Sequence, residues 1–332
     1  MRTSDLNPVF QPSYPLVTSR DLDPLLERIG EARCVLLGEA SHGTHDYYIW
    51  RTAITQRLIA EKNFRLLAVE GDWPDCYRIN RYIKGLDNTS QSPVEILQTF
   101  KRWPTWMWGN WKIAALVSWL KTYNTTLSPA EKTGFYGLDV YSLWGSMVGY
   151  LEGNDPVAAR LVHEALACFE PFGEDEQRYA REHYFPGVSC PEPLTQLLRQ
   201  IRSKVPSFDH DPEAVGFSSY QGTVRAGKRW GAPEEIMPVP AAQEGSLEHT
   251  LHQHSDLNRL LIFNRNTSGV TLPHRAIGVV YEPERERFGN YVSTKVNQRY
   301  DAFVYLDRTR ALHPLPLNTD AHKIPETFPF NY

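Results

Sequence analysis

The sequence predicts an α/β fold in which a mostly parallel central sheet is flanked by helices on both faces, with a helical insertion. Two apolar runs, Cys34–Leu37 and Phe64–Val69, are nearly continuous rather than alternating, which is typical of strands buried on both faces. The stretch between them has helical periodicity, so the three form a βαβ unit whose crossover is expected to be right-handed. The 332 residues, 41% hydrophobic and 22% charged, are enough to bury a large core.

The remaining elements follow in order along the chain. Residues 1–20 contain three prolines without periodicity and are expected to form an extended N-terminal arm, while residues 21–332 form a single α/β domain. The predicted elements are a helix at 21–29, a strand at 34–37, a polar loop at 38–43, a helix from Thr44 to about 62, a strand at 64–69, helices at about 74–84 and 112–123, a strand at 134–138, a helical region at about 144–204, and strands at 214–217, 259–263, 276–281 and 302–306.

Composition and charge exclude several classes of partner. The formal net charge is −4 with no long run of Lys or Arg, so no nucleic acid is expected to bind. No apolar signal region opens the chain and no window is long enough to span a bilayer, which predicts a cytoplasmic protein without a membrane partner. The lack of a phosphate-binding glycine loop argues against a nucleotide cofactor. Scattered cysteines at 34, 76, 168 and 190 indicate free thiols.

Three acids stand where three predicted strands end: Glu39, Glu70 and Asp139. Ligands of open α/β sheets collect at the carboxyl ends of the strands. A single acid there is as often a helix cap or half of a surface ion pair, but that explanation is weaker for three together. His42 follows Glu39 by three residues in a glycine-flanked loop, where an imidazole can act as a general base.

Arg51, on the helix after this loop, falls inside an apolar stripe. A guanidinium in that position needs an anionic partner, because an unpaired buried charge is strongly unfavourable. One of the three strand-end acids can supply it, unless the side chain extends to the rim. The apolar stripe consists of Tyr47, Trp50, Ile54 and Leu58.

A tryptophan-rich stretch at 103–111 lies between two predicted helices and holds four of the nine tryptophans. Aromatic side chains such as these can form the floor of a pocket for a large, partly apolar ligand. They can equally pack over the sheet as core. Under the first interpretation, Trp103, Trp106 and Trp108 bind substrate together with Asp139.

Several motifs are similar to those of the erythromycin esterase family. They cover most of the chain from about residue 32 onward, and the N-terminal block is the most specific. The matching segments are 37–44 (Leu-Gly-Glu-Ala-Ser-His-Gly-Thr), Arg51, 68–72 (Ala-Val-Glu-Gly-Asp), 137–143, 215–217, 220–224, 274–281 and 300–303.

This resemblance implies a hydrolase in which His42 activates water to attack an ester or macrolactone carbonyl, while Glu39, Glu70 and Arg51 orient it. It implies a small-molecule ester or lactone as substrate, no cofactor, and a place in a family related to antibiotic resistance. Carboxylates hold an imidazole in its basic tautomer, and a cation can polarise a carbonyl. A homo-oligomer is left open.

The chain departs from the family in one segment. Family members have an Arg-Asp helix and a strand ending in an Ala-His-Asn-x-His loop before the equivalent of Val215. Here residues 199–213 are too few for a helix, a strand and its loop, so the family's second catalytic histidine has no counterpart. A parallel sheet without an interior strand has a gap, unless its neighbours close up or another chain covers the exposed surface.

Two alternatives follow from the same residues. Glu39, His42, Glu70 and Asp139 could hold a divalent metal ion, which would make the protein a metal-assisted hydrolase. Loss of the second histidine could instead leave a catalytically degenerate member that binds a ligand without turnover. Activity abolished by a chelator would identify the first, and binding without hydrolysis the second.

Overall fold

The computed structural model describes residues 10, 12–87, 91–139, 160, 162–163, 212–264 and 269–317. Within these ranges the strands are β1 (Ser13–Pro15), β2 (Val35–Leu37), β3 (Leu66–Asp72), β4 (Gly134–Asp139), β5 (Glu213–Gly227), β6 (Glu234–Val239), β7 (Arg259–Ile262), β8 (Thr271–Arg275), β9 (Tyr291–Lys295) and β10 (Ala302–Thr309). The helices are α1 (Asp23–Ile29), α2 (His45–Lys62), α3 (Trp73–Lys84), α4 (Pro93–Leu97), α5 (Trp111–Thr125), α6 (Leu247–His254), α7 (Glu286–Gly289) and α8 (Val296–Arg299).

The long strand β5 lies at the centre of the main sheet, with a parallel neighbour on each side. Val215 is in register with Ala302 of β10 on one side and with Leu37 of β2 on the other. Strands β7 and β1 extend the sheet beyond β10 in antiparallel fashion, giving the order β1-β7-β10-β5-β2, and β6 pairs with the later part of β5. The predicted α/β fold with a mostly parallel sheet core is therefore confirmed.

Helices cover both faces of this sheet, and successive side chains of β10 point alternately to the two faces. Phe303 and Tyr305 pack in a core cluster with residues of α6 on one face. Val304 and Leu306 point to the other face, into a cluster formed with α1 and α2. The predicted stripe of α2 faces this second cluster, and its four members are buried: Tyr47, Trp50, Ile54 and Leu58.

Strands β3 and β4 form a separate parallel pair. Their backbones approach closely at Gly137, where a Cβ atom would lie 2.2 Å from the carbonyl oxygen of Gly71, so glycine is required there. In the described part of the chain, neither strand pairs with β2. Among the described residues, β2 and β3 of the βαβ unit are therefore not neighbouring strands of one sheet.

Some elements differ from those predicted. The apolar run at 276–281 is not a regular strand: β8 precedes it, and Ile277 and Val280 form isolated bridges instead. Their bridge partners, Ser41 and Gly227, belong to a loop and a strand end, so tertiary contacts rather than local propensity set the backbone there. Strands β6 and β9 were not predicted. The helical region at 144–204 and the cysteines at 168 and 190 lie outside the described residues, apart from helical turns at 160 and 162–163.

The N-terminal arm is tied to the body of the protein. Its residues 13–15 form β1 at the sheet edge, and Phe10 is buried in the α6 cluster. None of the helices in the described ranges combines the length and the apolar character that a membrane span requires.

Candidate active site

The loop between β2 and α2 holds His42 through backbone contacts on both sides. The carbonyl of Gly43 accepts hydrogen bonds from the N–H groups of Arg225 (3.0 Å) and Leu312 (2.9 Å), and that of Ala40 accepts from Ile277 (2.6 Å). A Cβ atom on Gly43 would lie 1.8 Å from the carbonyl oxygen of Arg225, so the loop can approach β5 this closely only with glycine. The loop is therefore a fixed platform for His42.

Glu39 joins His42 to Arg51. Its Oε1 lies 2.5 Å from Nδ1 of His42, and its Oε2 accepts a hydrogen bond of 2.6 Å from Nη1 of Arg51. The contact with His42 is short but is not aligned as a hydrogen bond, and it is an ion pair only when the imidazole is protonated. The three side chains are 14–19% exposed, which leaves them partly open to the cavity described below. The anionic partner predicted for Arg51 is confirmed to be Glu39.

The other two strand-end acids lie close to this group. One ligating atom each of Glu39, His42 and Glu70 falls within 4.8 Å of the others. Asp139 interacts electrostatically with His42, and its buried Oδ2 atom has no hydrogen-bond partner among the described residues. Burial, and then the charges of Glu70 and Asp72, raise the pKa of Asp139 to about 6. Glu39 and Glu70 thus converge on His42 as predicted, and Asp139 interacts with both His42 and Glu70 through its charge.

Opposing effects act on the titration of Glu39 and His42. Burial favours the neutral carboxyl of Glu39, but the positive charges of Arg51 and His42 outweigh it and lower its pKa. Burial likewise disfavours the imidazolium of His42, but the adjacent Glu39, with help from Glu70, raises its pKa above 6.5. Glu39 is thus ionised at neutral pH, and His42 is a stronger base than a free histidine.

A cavity of about 1310 Å³ opens onto this cluster. Trp108 lines it and donates a hydrogen bond of 2.6 Å from Nε1 to the carbonyl of Glu70. Trp103 and Trp106 do not line the cavity; both are buried in the core cluster with α3 and α5. Of the three tryptophans proposed to bind substrate, the geometry leaves Trp108 as the one that can touch a ligand there.

Two nearby residues have contacts that the sequence did not predict. Tyr48 places its ring 4.6 Å from the guanidinium carbon of Arg51 and donates from its hydroxyl to the carbonyl of Met107 at 2.8 Å. Its position three residues before Arg51 on α2 was the available signal. Asp72, two residues after Glu70, is buried and contacts Arg102 at 3.2 Å. Its charge acts on Asp139, which sequence spacing alone does not reveal.

Comparison with protein families gives a match to the model of the erythromycin esterase family, over residues 59–213 and 207–309. This covers more than half of the chain and includes Glu70 and Asp139; Glu39, His42 and Arg51 precede it. The two matched parts overlap at residues 207–213. Among curated proteins, "Erythromycin esterase type II" of Escherichia coli is 27% identical over 143 residues, which are 43% of this chain and 32% of that protein. The match thus spans about a third of that relative's length.

Solved structures share the fold at low sequence identity. A succinoglycan biosynthesis protein is 17% identical, with a TM-score of 0.67 over 92% of this chain and 96% of that one. A protein from Bacillus cereus is 15% identical, with a TM-score of 0.67 over 91% and 96%. A mutant of erythromycin esterase EreC in its open conformation is 14% identical, with a TM-score of 0.53 over 91% and 96%. At these identities the likeness concerns the fold.

Proposed function

Because the chain belongs to the erythromycin esterase family, we propose that it is a metal-independent hydrolase of carboxylic esters or lactones in which His42 is the general base. The contact between His42 and Glu39 carries this proposal. With Nδ1 held at 2.5 Å from a carboxylate that is ionised at neutral pH, the proton of a neutral imidazole is favoured on Nδ1, and Nε2 is left with its lone pair.

In the reaction, Nε2 of His42 takes a proton from water as the oxygen attacks the substrate carbonyl carbon. The tetrahedral intermediate collapses by breaking the bond to the leaving alkoxide, which recovers the proton from the imidazolium. Products are a carboxylic acid and an alcohol, or a hydroxy acid from a lactone. Glu39 stabilises the imidazolium that forms midway. Trp108 contacts the substrate in this proposal, whereas Asp139, which was predicted to bind substrate, does not line the cavity and acts through its charge near His42.

Arg51 acts as a positioning residue through Glu39. Its guanidinium lies on one oxygen of the carboxylate, while His42 lies on the other. The Tyr48 ring beneath the guanidinium fixes it further. This arrangement holds Glu39 in one orientation and keeps it ionised, which the basic tautomer of His42 requires.

The natural substrate is proposed at the level of a chemical class. The Escherichia coli relative is named an erythromycin esterase, and a macrolactone would fit the volume of the cavity. That relative is matched over about a third of its length, however, so a macrolide is one member of the ester and lactone class to be assayed rather than an assumed substrate.

The pH dependence of kcat/KM tests the general-base role. His42 must be neutral to accept a proton, so kcat/KM is expected to rise with pH through a pKa above 6.5 and then to level off. Glu39→Gln removes the negative charge that raises this pKa, so the rising limb should move to lower pH and the plateau should fall. Measurement of p-nitrophenyl acetate hydrolysis across pH in both proteins checks this.

The control for this experiment is Glu235→Gln. It removes an exposed carboxylate of β6 that is paired with Lys228. Its profile should coincide with that of the unaltered protein. An identical pKa in the Glu39→Gln variant would contradict the role of Glu39, and a rate independent of pH would contradict that of His42.

A second candidate is the metal-assisted hydrolase, favoured by the convergence of ligating atoms from Glu39, His42 and Glu70. Arg51 weighs against it, because its guanidinium already occupies one oxygen of Glu39 and would repel a divalent cation. We therefore expect that dialysis against EDTA leaves hydrolysis unchanged within about two-fold, since the chemistry proposed here requires no ion. Activity lost with EDTA and restored by Zn²⁺ or Mn²⁺ would establish the metal-assisted mechanism instead.

A further inference from the structure

The cavity that opens onto His42 continues along all of β2 and along β3 as far as Glu70. Residues 33–39 and 64–70 line it without interruption. Since successive side chains of a strand point to opposite faces, an uninterrupted lining means that the edges of both strands border the cavity. It is a slot between two strands rather than a pocket over one face of the sheet.

Both bordering edges are unpaired in the described part of the chain. The hydrogen bonds of β2 are made to β5 on its other side, as from Gly38 N–H to Val215 (2.9 Å) and from Glu213 N–H to Cys34 (3.0 Å). Those of β3 are made to β4. The backbone N–H and C=O groups along such edges require partners, so the slot favours a ligand with donors and acceptors at the repeat of a strand.

The two strands run in the same direction along the slot. Their carboxyl ends meet at His42, where ligating atoms of Glu39 and Glu70 lie together. Their amino ends are joined by the end of α2, where Lys62 donates a hydrogen bond of 3.2 Å to the carbonyl of Gly30. From Leu66 to Glu70, the lining part of β3 rises about 13 Å. An extended chain of several residues fits along this length.

The walls of the slot are apolar between its two charged ends. Helices α2 and α5 contribute aliphatic side chains to its lining. Three leucines that line the slot are exposed to solvent: Leu36 (51%), Leu66 (65%) and Leu138 (67%). Exposed leucines along the lining of one cavity indicate a surface that a ligand covers. Apolar side chains on the ligand would bury them.

Building on the proposed hydrolase, we propose that the substrate is a peptidyl ester, an extended peptide bound between β2 and β3. Strand addition of this kind draws affinity from main-chain hydrogen bonds and specificity from alternate side chains. A peptide lying parallel to both strands places its C-terminal carbonyl at His42, so the scissile ester is at that carbonyl. Water adds there, the bond to the alkoxide breaks, and the products are a free peptide acid and an alcohol.

The test compares p-nitrophenyl esters that share one leaving group. We expect an acetylated Val-Leu-Val-Leu ester to be hydrolysed with a kcat/KM at least ten-fold above that of the acetate ester, because several main-chain hydrogen bonds form. N-methylation of one interior amide of this peptide should lower kcat/KM by about ten-fold, the effect of one lost hydrogen bond with its donor removed. A decanoate ester serves as the control for apolar burial without hydrogen bonding.

A matched pair of protein variants locates the site. Leu36→Glu places a charge inside the slot and should lower the ratio of kcat/KM for the peptidyl ester to that for the acetate ester. Leu257→Glu alters a leucine of similar exposure (60%) that does not line the cavity, and should leave the ratio unchanged. Equal effects of the two variants would overturn the proposal.

The outcomes separate this inference from the proposed function. Acetate hydrolysis that depends on His42, without preference for the peptidyl ester or with a greater preference for decanoate, would overturn the peptide assignment and retain the hydrolase. Absence of any His42-dependent hydrolysis would overturn the hydrolase. In that case, binding of the fluorescein-labelled peptide amide, measured by anisotropy and weakened by Leu36→Glu, would still support the slot, and no binding would refute it.

Discussion

Replacing His42 by alanine is expected to lower kcat/KM for p-nitrophenyl acetate by about 10²–10⁴-fold, the contribution of a positioned general base. The side chain projects from a loop whose backbone is held by Gly43 and Ala40 rather than by the imidazole itself. Loss of the ring should therefore change the chemistry far more than the fold. Initial rates at saturating and sub-saturating ester, together with the thermal unfolding midpoint, measure both quantities.

The matched control is His254→Ala, which removes an exposed histidine at the end of α6. It should have unaltered rates, so that any hydrolysis by surface imidazoles is separated from that of the site. If the two variants hydrolyse ester equally, His42 is not the base. If neither the variants nor the unaltered protein hydrolyses any ester or lactone while ligands still bind, the catalytically degenerate alternative is correct.

The position of the site could be predicted because topology determines it. Glu39, Glu70 and Asp139 lie within two residues of the carboxyl ends of β2, β3 and β4. Parallel strands of one sheet bring these ends to the same side. The requirement that Arg51 find an anion also followed from helical geometry alone. The sequence did not show that this anion would be Glu39, because three acids were candidates and side-chain rotamers decide among them.

The tryptophan-rich stretch shows why the shape of the pocket could not be predicted. A tryptophan that forms a pocket floor and one that forms core have the same apolar pattern in a sequence. Trp103 is fixed in the core by a hydrogen bond of 2.9 Å to the carbonyl of Ala232, more than a hundred residues away. Trp108 instead lines the cavity beside Glu70. Contacts that are this distant in sequence leave no local signal.

The run at 276–281 was predicted as a strand from its apolar residues, whereas the strand of this region is the more polar β8. Buried polar partners explain the difference. Glu248, fully buried on α6, accepts hydrogen bonds from Ser218 (2.6 Å) and the backbone of Arg275 (3.0 Å), and its carboxylate lies 2.7 Å from Nδ1 of His274. Sequence periodicity treats such residues as surface, so it fails where a polar network forms the core.

That network leads to the largest expected loss of stability. Replacing Arg275 by methionine is expected to lower the free energy of unfolding by about 3–5 kcal/mol, since a buried charge partner is left unpaired. The Arg275 side chain is 1% exposed; its Nη2 lies 2.8 Å from Glu286, and its Nη1 donates to the carbonyls of Ser219 and Tyr220, each at 2.8 Å. Urea unfolding followed by tryptophan fluorescence measures the change.

Arg285→Met is the matched control, because Arg285 is 78% exposed and its contact with Glu282 is 3.5 Å long. Its effect should stay below about 1 kcal/mol, as for surface pairs. Adding Glu286→Gln to Arg275→Met should recover part of the loss, because the unpaired carboxylate charge is then gone. A similar small effect for both arginines would mean that the family-like segment at 274–281 does not stabilise the fold. The similarity of this segment to the family would then need a functional explanation. The contacts of Arg275 do not supply one, because its buried guanidinium is bonded to Glu286 and to backbone carbonyls.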